Sequence, residues 1–143
     1  MKKEIVKNIF SGQKDTNIAL TSENNSPLLF KDLKDLSNKI SRQLSGNQIS
    51  NKDRAAIILP NGPHMASSFL AISSYMSAAP LNPNYKSDEY EFYLNDLKPK
   101  IVLVEPNSTN SVVDVAKKLK IPICEINIKK DQPTGFFDLF NKE

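Results

Sequence analysis

The chain has 143 residues, 39% of them hydrophobic and 24% charged, which is typical of one ordinary globular domain and excludes a disordered chain. The net charge is only +3 and the only arginines are Arg42 and Arg54, so we expect no nucleic-acid partner. The single cysteine, Cys124, excludes an internal disulfide. No apolar run has the length of a signal-peptide core or a membrane span, and we expect a cytoplasmic protein without a membrane span.

Residues 1–50 predict a leading hairpin and helix. We expect a short helix around residues 4–10, then strands at 18–21 and 27–29 separated by a turn-rich segment. An amphipathic helix should follow over about 30–45 and end at Gly46. Its apolar residues recur at three- and four-residue steps, at Leu33, Leu36, Ile40 and Leu44.

Residues 51–126 predict repeated strand–helix units. A uniformly apolar strand over 55–59 is typical of a parallel strand covered on both faces. Pro63 fits the first position of a helix running to about residue 76, with Asn61 and Gly62 supplying the turn and cap. A short strand at 78–81 should follow.

The next unit should begin with Ser87 as an N-cap and end at Pro99. A strand is predicted at 101–104. Ser111 and Asp114 resemble a capping box that opens a helix over 112–119, before a strand at 121–126. Alternating strands and helices predict an α/β fold, in which a doubly wound, mostly parallel sheet has helices on both faces and is preceded by a short β-hairpin.

The predicted tail, residues 127–143, contains four large apolar side chains within five positions. These are Phe136, Phe137, Leu139 and Phe140. They need a packing partner, so we expect a complete domain to finish in this way only if they fold back onto its own core. We treat 1–143 as a single domain fragment whose tail leads toward missing sequence.

The turn 60–63 is the first place to look for a ligand, because parallel sheets bind ligands at the carboxyl ends of their strands. It is not a phosphate cradle: it lacks a glycine-rich pattern, and Pro63 removes one N–H donor. All four glycines of the chain are isolated. A structural turn is the favoured interpretation.

Other polar residues also have structural explanations. His64 has no partner ligand or orienting carboxylate in the sequence, so we expect an exposed histidine without a catalytic role. The helix dipole accounts for the carboxylates at the start of one helix and the lysines at the end of another, namely Asp88, Glu89, Glu91, Lys117, Lys118 and Lys120. Cys124 should be a buried, inert thiol. We predict no catalytic, cofactor-binding or metal-ligating residue in this chain.

Three segments together resemble a known family. They are Arg54-Ala-Ala-Ile-Ile-Leu-Pro-Asn-Gly-Pro63, Phe69-Leu-Ala-Ile72 and the run from Ala79-Pro-Leu-Asn-Pro-Asn-Tyr85 to Lys98. Together with Leu28-Leu-Phe-Lys-Asp-Leu33, they are similar to the N-terminal region of AMP-forming acyl-CoA synthetases. Within this adenylate-forming superfamily, the oxalate–CoA ligase-like branch is the most similar. His64 departs from the acidic residue that commonly follows Pro-Asn-Gly-Pro in the family.

The resemblance implies a two-step ligase reaction. A carboxylate attacks the α-phosphate of ATP·Mg²⁺ to give an acyl-adenylate and pyrophosphate, and the CoA thiol then displaces AMP. In the family, the phosphate loop, the aromatic-Thr-Glu motif, the ribose-binding Asp and the catalytic Lys all lie downstream of the region matched here. We therefore expect the complete enzyme to use ATP, Mg²⁺ and CoA, and this chain alone to bind none of them and to be inactive.

A second interpretation remains open, in which the chain is a self-contained small α/β binding or interaction module without catalysis. The fragment interpretation predicts exposed apolar surface, and hence strong dye binding and self-association in solution. A dye-silent monomer would favour the independent module. The sequence leaves open the acyl substrate and whether the acceptor thiol belongs to CoA or to a carrier protein.

Overall fold

The structure, a computed structural model, describes residues 6–140. The predicted leading helix at 4–10 lies partly outside these residues, and its described part begins at Lys7. In chain order the elements are α1 (Lys7–Ser11), β1 (Ile18–Leu20), β2 (Leu28–Leu29), α2 (Phe30–Gly46), β3 (Arg54–Ile58), α3 (Pro63–Ser73), β4 (Ser77–Pro80), α4 (Ser87–Leu97), β5 (Ile101–Val104), α5 (Val112–Lys118) and β6 (Ile123–Glu125).

The central sheet has four parallel strands in the order β4-β3-β5-β6, and β1 and β2 form a separate antiparallel hairpin. In register, Ala55 of β3 lies opposite Ala78 of β4 on one side and Ile101 of β5 on the other. The predicted doubly wound, mostly parallel fold with a leading hairpin is therefore confirmed. Because β3 has neighbours on both sides, the chain leaves it in one direction to form β4 and returns past it to form β5.

Alternate residues of the strands face opposite layers, which explains why the strands are uniformly apolar. Ala55 and Ile57 of β3 pack with α2 and α3. Their neighbours Ala56 and Ile58 pack with α4 and α5. Both faces are therefore covered, and each fully buried Ile or Leu side chain contributes about 1.5–3 kcal/mol. A third, smaller cluster of Phe10, Leu28 and Leu33 joins the hairpin to α2.

The apolar tail folds back onto this core. Phe137 and Leu139 are completely buried in the layer formed by α2 and α3, and Phe136 and Phe140 pack against the same cluster. Asn127 and Asp138 exchange two backbone hydrogen bonds of 2.8 and 2.9 Å, which hold the tail beside the segment that follows β6. The side chains that needed a packing partner find it within the described chain.

Several predicted elements are one residue shorter in the structure, and two are three residues shorter. The helix expected to reach residue 76 ends at Ser73 and is followed by a turn, in which the Tyr75 N–H donates to the Ile72 carbonyl at 3.0 Å. The last strand, expected at 121–126, is only Ile123–Glu125. It lies at the edge of the sheet and pairs with three residues of the four-residue strand β5.

Two of the predicted helix caps, Ser87 and Ser111, are wrong. Ser87 is the first helical residue of α4 rather than its N-cap; the Glu89 carboxylate instead accepts a 2.7 Å hydrogen bond from the Lys86 N–H. Ser111 precedes α5 but makes no side-chain cap bond. The Asn110 side-chain carbonyl replaces it, accepting a 2.9 Å bond from the Val112 N–H. Short polar side chains compete for the same free amides at a helix start, and tertiary position decides which one reaches them.

Candidate functional site

A crevice opens at the carboxyl ends of the central strands, where the connections from β3 and β5 leave in opposite directions. Such a switch point is where open α/β sheets bind ligands. The crevice has a volume of about 160 Å³. The loops after β3, β5 and β6 line it, with the residues Leu59, Pro60, Asn61, Gly62, Pro63, His64, Glu105, Pro106, Ile126 and Ile128. We call it the switch-point crevice.

The first wall is the turn between β3 and α3. Pro63 occupies the first helical position, as predicted, and Gly62 is the residue before it. Gly62 has φ 156° and ψ −173°, a conformation essentially restricted to glycine. Because Pro63 has no N–H, this helix start offers an anion fewer donors than an ordinary one. The wall is therefore a helix-starting turn with one backbone donor fewer than usual.

His64 forms part of the crevice wall and is half-buried, not exposed as expected. Burial lowers the pKa of His64 below its ordinary value of 6.5, and a hydrogen bond with the Phe136 backbone offsets part of that shift. The imidazole is therefore uncharged at neutral pH. In that state it can exchange a hydrogen bond with a polar group in the crevice, but it does not attract an anion by charge.

The tail fixes this wall from behind. The buried Ser67 hydroxyl donates a 2.6 Å hydrogen bond to the Gly135 carbonyl. Gly135 lies so close to α3 that a Cβ atom placed there would be 3.0 Å from the Pro63 carbonyl oxygen and 3.1 Å from Ser67 Oγ. Thr134, also buried, donates through its own hydroxyl to the Ser26 carbonyl at 2.9 Å. The tail thus joins α3 to the hairpin loop.

The floor and far side of the crevice were not singled out from the sequence. Leu59 and Ile126 are buried, whereas Ile128 is 44% exposed at the rim. Glu105 and Pro106 follow β5 directly and are both exposed. One signal could have found all of them: residues just after parallel strands gather at one edge of the sheet. The apolar floor suits a small apolar group. The volume of the crevice is smaller than that of a typical small-molecule site.

The charged residues considered from the sequence do not converge on this crevice. Glu89 caps α4, and Glu91 forms an exposed ion pair with Lys118 at 2.9 Å. The remaining three, Asp88, Lys117 and Lys120, are exposed. Asp88 lies in the first turn of α4 and Lys117 in the last turn of α5, where the helix dipole favours their charges, as the sequence predicted, whereas Lys120 follows the end of α5.

Cys124 is buried in β6, as predicted. Burial raises the pKa of the Cys124 thiol to about 11, so almost none of it is thiolate at neutral pH. The thiolate is the reactive form of cysteine. Cys124 is therefore a core residue.

The Asn82-Pro-Asn segment within the family-like run forms a braced loop between β4 and α4. Tyr90, fully buried, donates its hydroxyl hydrogen to the Asn82 carbonyl at 2.8 Å. From the other side, the Asn110 side-chain amide donates to the Pro83 carbonyl at 2.8 Å. The Tyr85 ring stacks on Tyr93 with centroids 5.1 Å apart. These contacts hold the backbone of Asn82 and Pro83 from two sides, and they account for the buried Tyr90 and the side chain of Asn110.

The described residues do not fit ATP·Mg²⁺. Residues 6–140 contain no group of three or more His, Cys, Asp or Glu side chains arranged to hold a metal ion. The crevice turn has neither a glycine-rich run of free amides nor a lysine to neutralise a phosphate. We derive no reaction step through the nucleotide from these residues. Within the same residues, no helix is long and apolar enough to cross a membrane.

Comparison with known proteins identifies what this architecture is similar to. The family model described as AMP-binding enzyme matches residues 10–138. The oxalate–CoA ligase of Saccharomyces cerevisiae is 46% identical over 59 residues, which are 41% of this chain and 11% of that protein. The oxalate–CoA ligase of Arabidopsis thaliana is 38% identical over 82 residues, 57% of this chain and 16% of that protein.

The solved structure of apo MatB from Rhodopseudomonas palustris superposes with a TM-score of 0.72 at 19% identity. The match covers 85% of this chain and 24% of MatB, and at this identity it shows the shared fold. The matches with the two ligases and MatB thus span between about a tenth and a quarter of those proteins.

Proposed function

This chain belongs to the AMP-binding enzyme family, and from that premise we propose that it forms one sheet layer in the large domain of an AMP-forming acyl-CoA ligase. The match of the family model to residues 10–138 carries the proposal. We further propose that these residues fold as a single unit, with the hairpin, the strand–helix repeats and the tail as its three parts. The contacts of the tail on α2 and α3 support the single unit.

In the proposed reaction, the complete enzyme joins a carboxylate to ATP with release of pyrophosphate, and CoA then takes the acyl group with release of AMP. Mg²⁺ would accompany the nucleotide. The residues described here would contribute shape and position: the switch-point crevice offers an apolar floor, and the braced loop at Asn82 offers a rigid edge. Oxalate is the first carboxylate to test, since the two curated relatives above are oxalate–CoA ligases.

We also propose that the 143-residue chain has no turnover by itself. Its sequence contains no glycine-rich phosphate loop, and the crevice lacks the donors that a triphosphate needs. ATP–pyrophosphate exchange, measured with the purified chain and a panel of carboxylic acids that includes oxalate, should remain at background. Exchange that depends on both the chain and an added carboxylate would overturn this statement.

A chimera tests the positive half of the proposal. Residues 10–138 would replace the matching segment of the Arabidopsis oxalate–CoA ligase, and exchange would be measured with oxalate. We expect activity within about tenfold of the parent. A tenfold loss from imperfect positioning corresponds to about 1.4 kcal/mol of activation free energy. A chimera carrying Gly135→Val is the matched control and should lose activity. A folded chimera with no exchange would contradict the proposed role.

The alternative, a self-contained binding module, makes a different prediction about the gene. A continuous reading frame beyond codon 143 that encodes a Gly/Thr-rich loop would support the ligase. An immediate stop, without a later frame, would favour the module.

A further inference from the structure

A second and larger concavity lies between α2 and the tail. It has a volume of about 650 Å³, within the range of small-molecule sites. We call it the α2–tail cleft. Segment 126–129 separates it from the switch-point crevice, because Ile126 and Ile128 line the crevice whereas Asn127 and Lys129 line the cleft. The two concavities are thus distinct and share one wall.

The charges in the cleft are unbalanced. Lys39 and Lys129 both approach the Asp138 carboxylate, at 2.6 and 3.6 Å, and Arg42 lines the same cleft. Three cations therefore surround one anion. The Arg42 guanidinium forms no ion pair with any residue in 6–140, and Lys129 shares its carboxylate with the closer Lys39. About two positive charges remain without a counter-ion in a concave site.

Lys39 is held in place, whereas the other two cations are available. Its ammonium lies 4.2 Å from the Phe136 ring centroid as well as against Asp138. Arg42 is exposed, and the Lys129 side chain is 63% exposed. A guanidinium and an ammonium at one cleft form a recognition pair for an oxyanion, since both supply charge-assisted hydrogen bonds.

The cleft also contains neutral polar groups and an apolar wall. The half-buried Asn127 makes no side-chain hydrogen bond within residues 6–140, so its amide is available to a ligand. Gln43 is oriented by the tail, because its side-chain carbonyl accepts a 2.9 Å bond from the Leu139 N–H. Phe140 supplies the apolar side. Convergent polar groups beside an apolar wall are the usual composition of a small-molecule site.

We propose that the α2–tail cleft binds a small organic oxyanion, a carboxylate or a phosphate ester, held by Arg42 and Lys129 with the Asn127 amide as a further donor. The negative charge of the ligand would neutralise the positive charge that Asp138 alone leaves unbalanced in the cleft. Its bulk would lie along Phe140. This site does not depend on the ligase reaction, and it goes beyond the proposed function.

The test uses the 143-residue chain and two probes, inorganic phosphate and succinate, added at constant ionic strength against sodium chloride. Amide shifts in a ¹H–¹⁵N correlation spectrum should saturate and concentrate in α2 near Arg42, after β6 near Lys129 and in the tail near Asp138. The probe with the lower dissociation constant identifies the phosphate or the carboxylate class. If neither probe gives saturable, localised shifts beyond those of chloride, the site does not exist.

Variants make the test specific. Arg42→Gln and Lys129→Gln should each raise the dissociation constant about tenfold. Lys52→Gln, which removes an exposed lysine outside the cleft, should leave it unchanged. Asp138→Asn removes the competing carboxylate and should lower the dissociation constant. Equal weakening by all three cation variants, or weaker binding by a folded Asp138→Asn protein, would overturn the proposal.

Discussion

Replacing Gly135 by alanine should destabilise the chain strongly for two separable reasons. Gly135 has φ 73°, a left-handed conformation that costs an L-residue about 1–2 kcal/mol. The added Cβ would also be 3.0 Å from the Pro63 carbonyl and 3.1 Å from Ser67 Oγ. Relieving such crowding in a packed region costs about 1–3 kcal/mol. We therefore expect Gly135→Ala to lower the free energy of unfolding by about 2–5 kcal/mol.

Urea denaturation followed by far-UV circular dichroism measures this change. For a slope near 1.5 kcal/mol per molar urea, a loss of about 3 kcal/mol moves the midpoint by about 2 M. Gly46→Ala is the matched control, because Gly46 ends α2 with open space around it, and the same added methyl there should be neutral or stabilising by about 0.4–1 kcal/mol. If Gly135→Ala unfolds within about 0.5 kcal/mol of the parent, the tail contact on α3 is not as close as argued.

Three further predictions concern titration, reactivity and ion pairs. The pKa of His64 is below 6.5 in the folded chain, so the unfolded chain binds more protons below that pH. Stability should therefore fall as pH drops from 6.5 through the folded pKa. The free energy of unfolding of His64→Gln should lack this dependence on pH. If the variant keeps the same pH dependence, another group is responsible. Cys124, with a pKa of about 11, should react with a disulfide reagent far more slowly in the native chain than in urea, and equal rates would show that the thiol is not buried. Asp138→Asn should lower the free energy of unfolding by about 1–2 kcal/mol, because that carboxylate is largely buried between two lysines. Lys118→Ala breaks the exposed pair with Glu91 and should lower it by only about 0–1 kcal/mol. Equal losses from the last two substitutions in urea denaturation would contradict this ranking.

Much of the secondary structure could be predicted because its signals are local. The β5 residues Ile101–Val104 are uniformly apolar, and Pro63 fits only the start of a helix, so both boundaries were placed correctly. The limits of β6 were not placed correctly. As an edge strand, β6 has one neighbour, and it pairs with only three residues of β5. The cap of α5 was also missed. Ser111 and Asn110 are equally plausible in sequence, and only the packing of the preceding loop selects Asn110.

The candidate site was only half visible in the sequence. The turn at Pro60–Pro63 was identified because the chain itself changes there from strand to helix. Glu105 and Ile128 were not identified, because they line the crevice only as a result of which strands are neighbours in the sheet. His64 shows the same limit. Its type and position are local facts, but its half-burial results from the tail that returns about seventy residues later.

By itself, the sequence determined the order of strands and helices, the two-faced burial of the sheet and the family to which the chain belongs, because periodicity and short motifs are local properties. Tertiary structure decided the strand order β4-β3-β5-β6, and with it the position of the switch-point crevice. It also decided that Phe137 and Leu139 complete the core of the α2 and α3 layer. Both outcomes depend on which distant surfaces meet, and hydrophobic burial is non-directional, so composition alone cannot specify the partner.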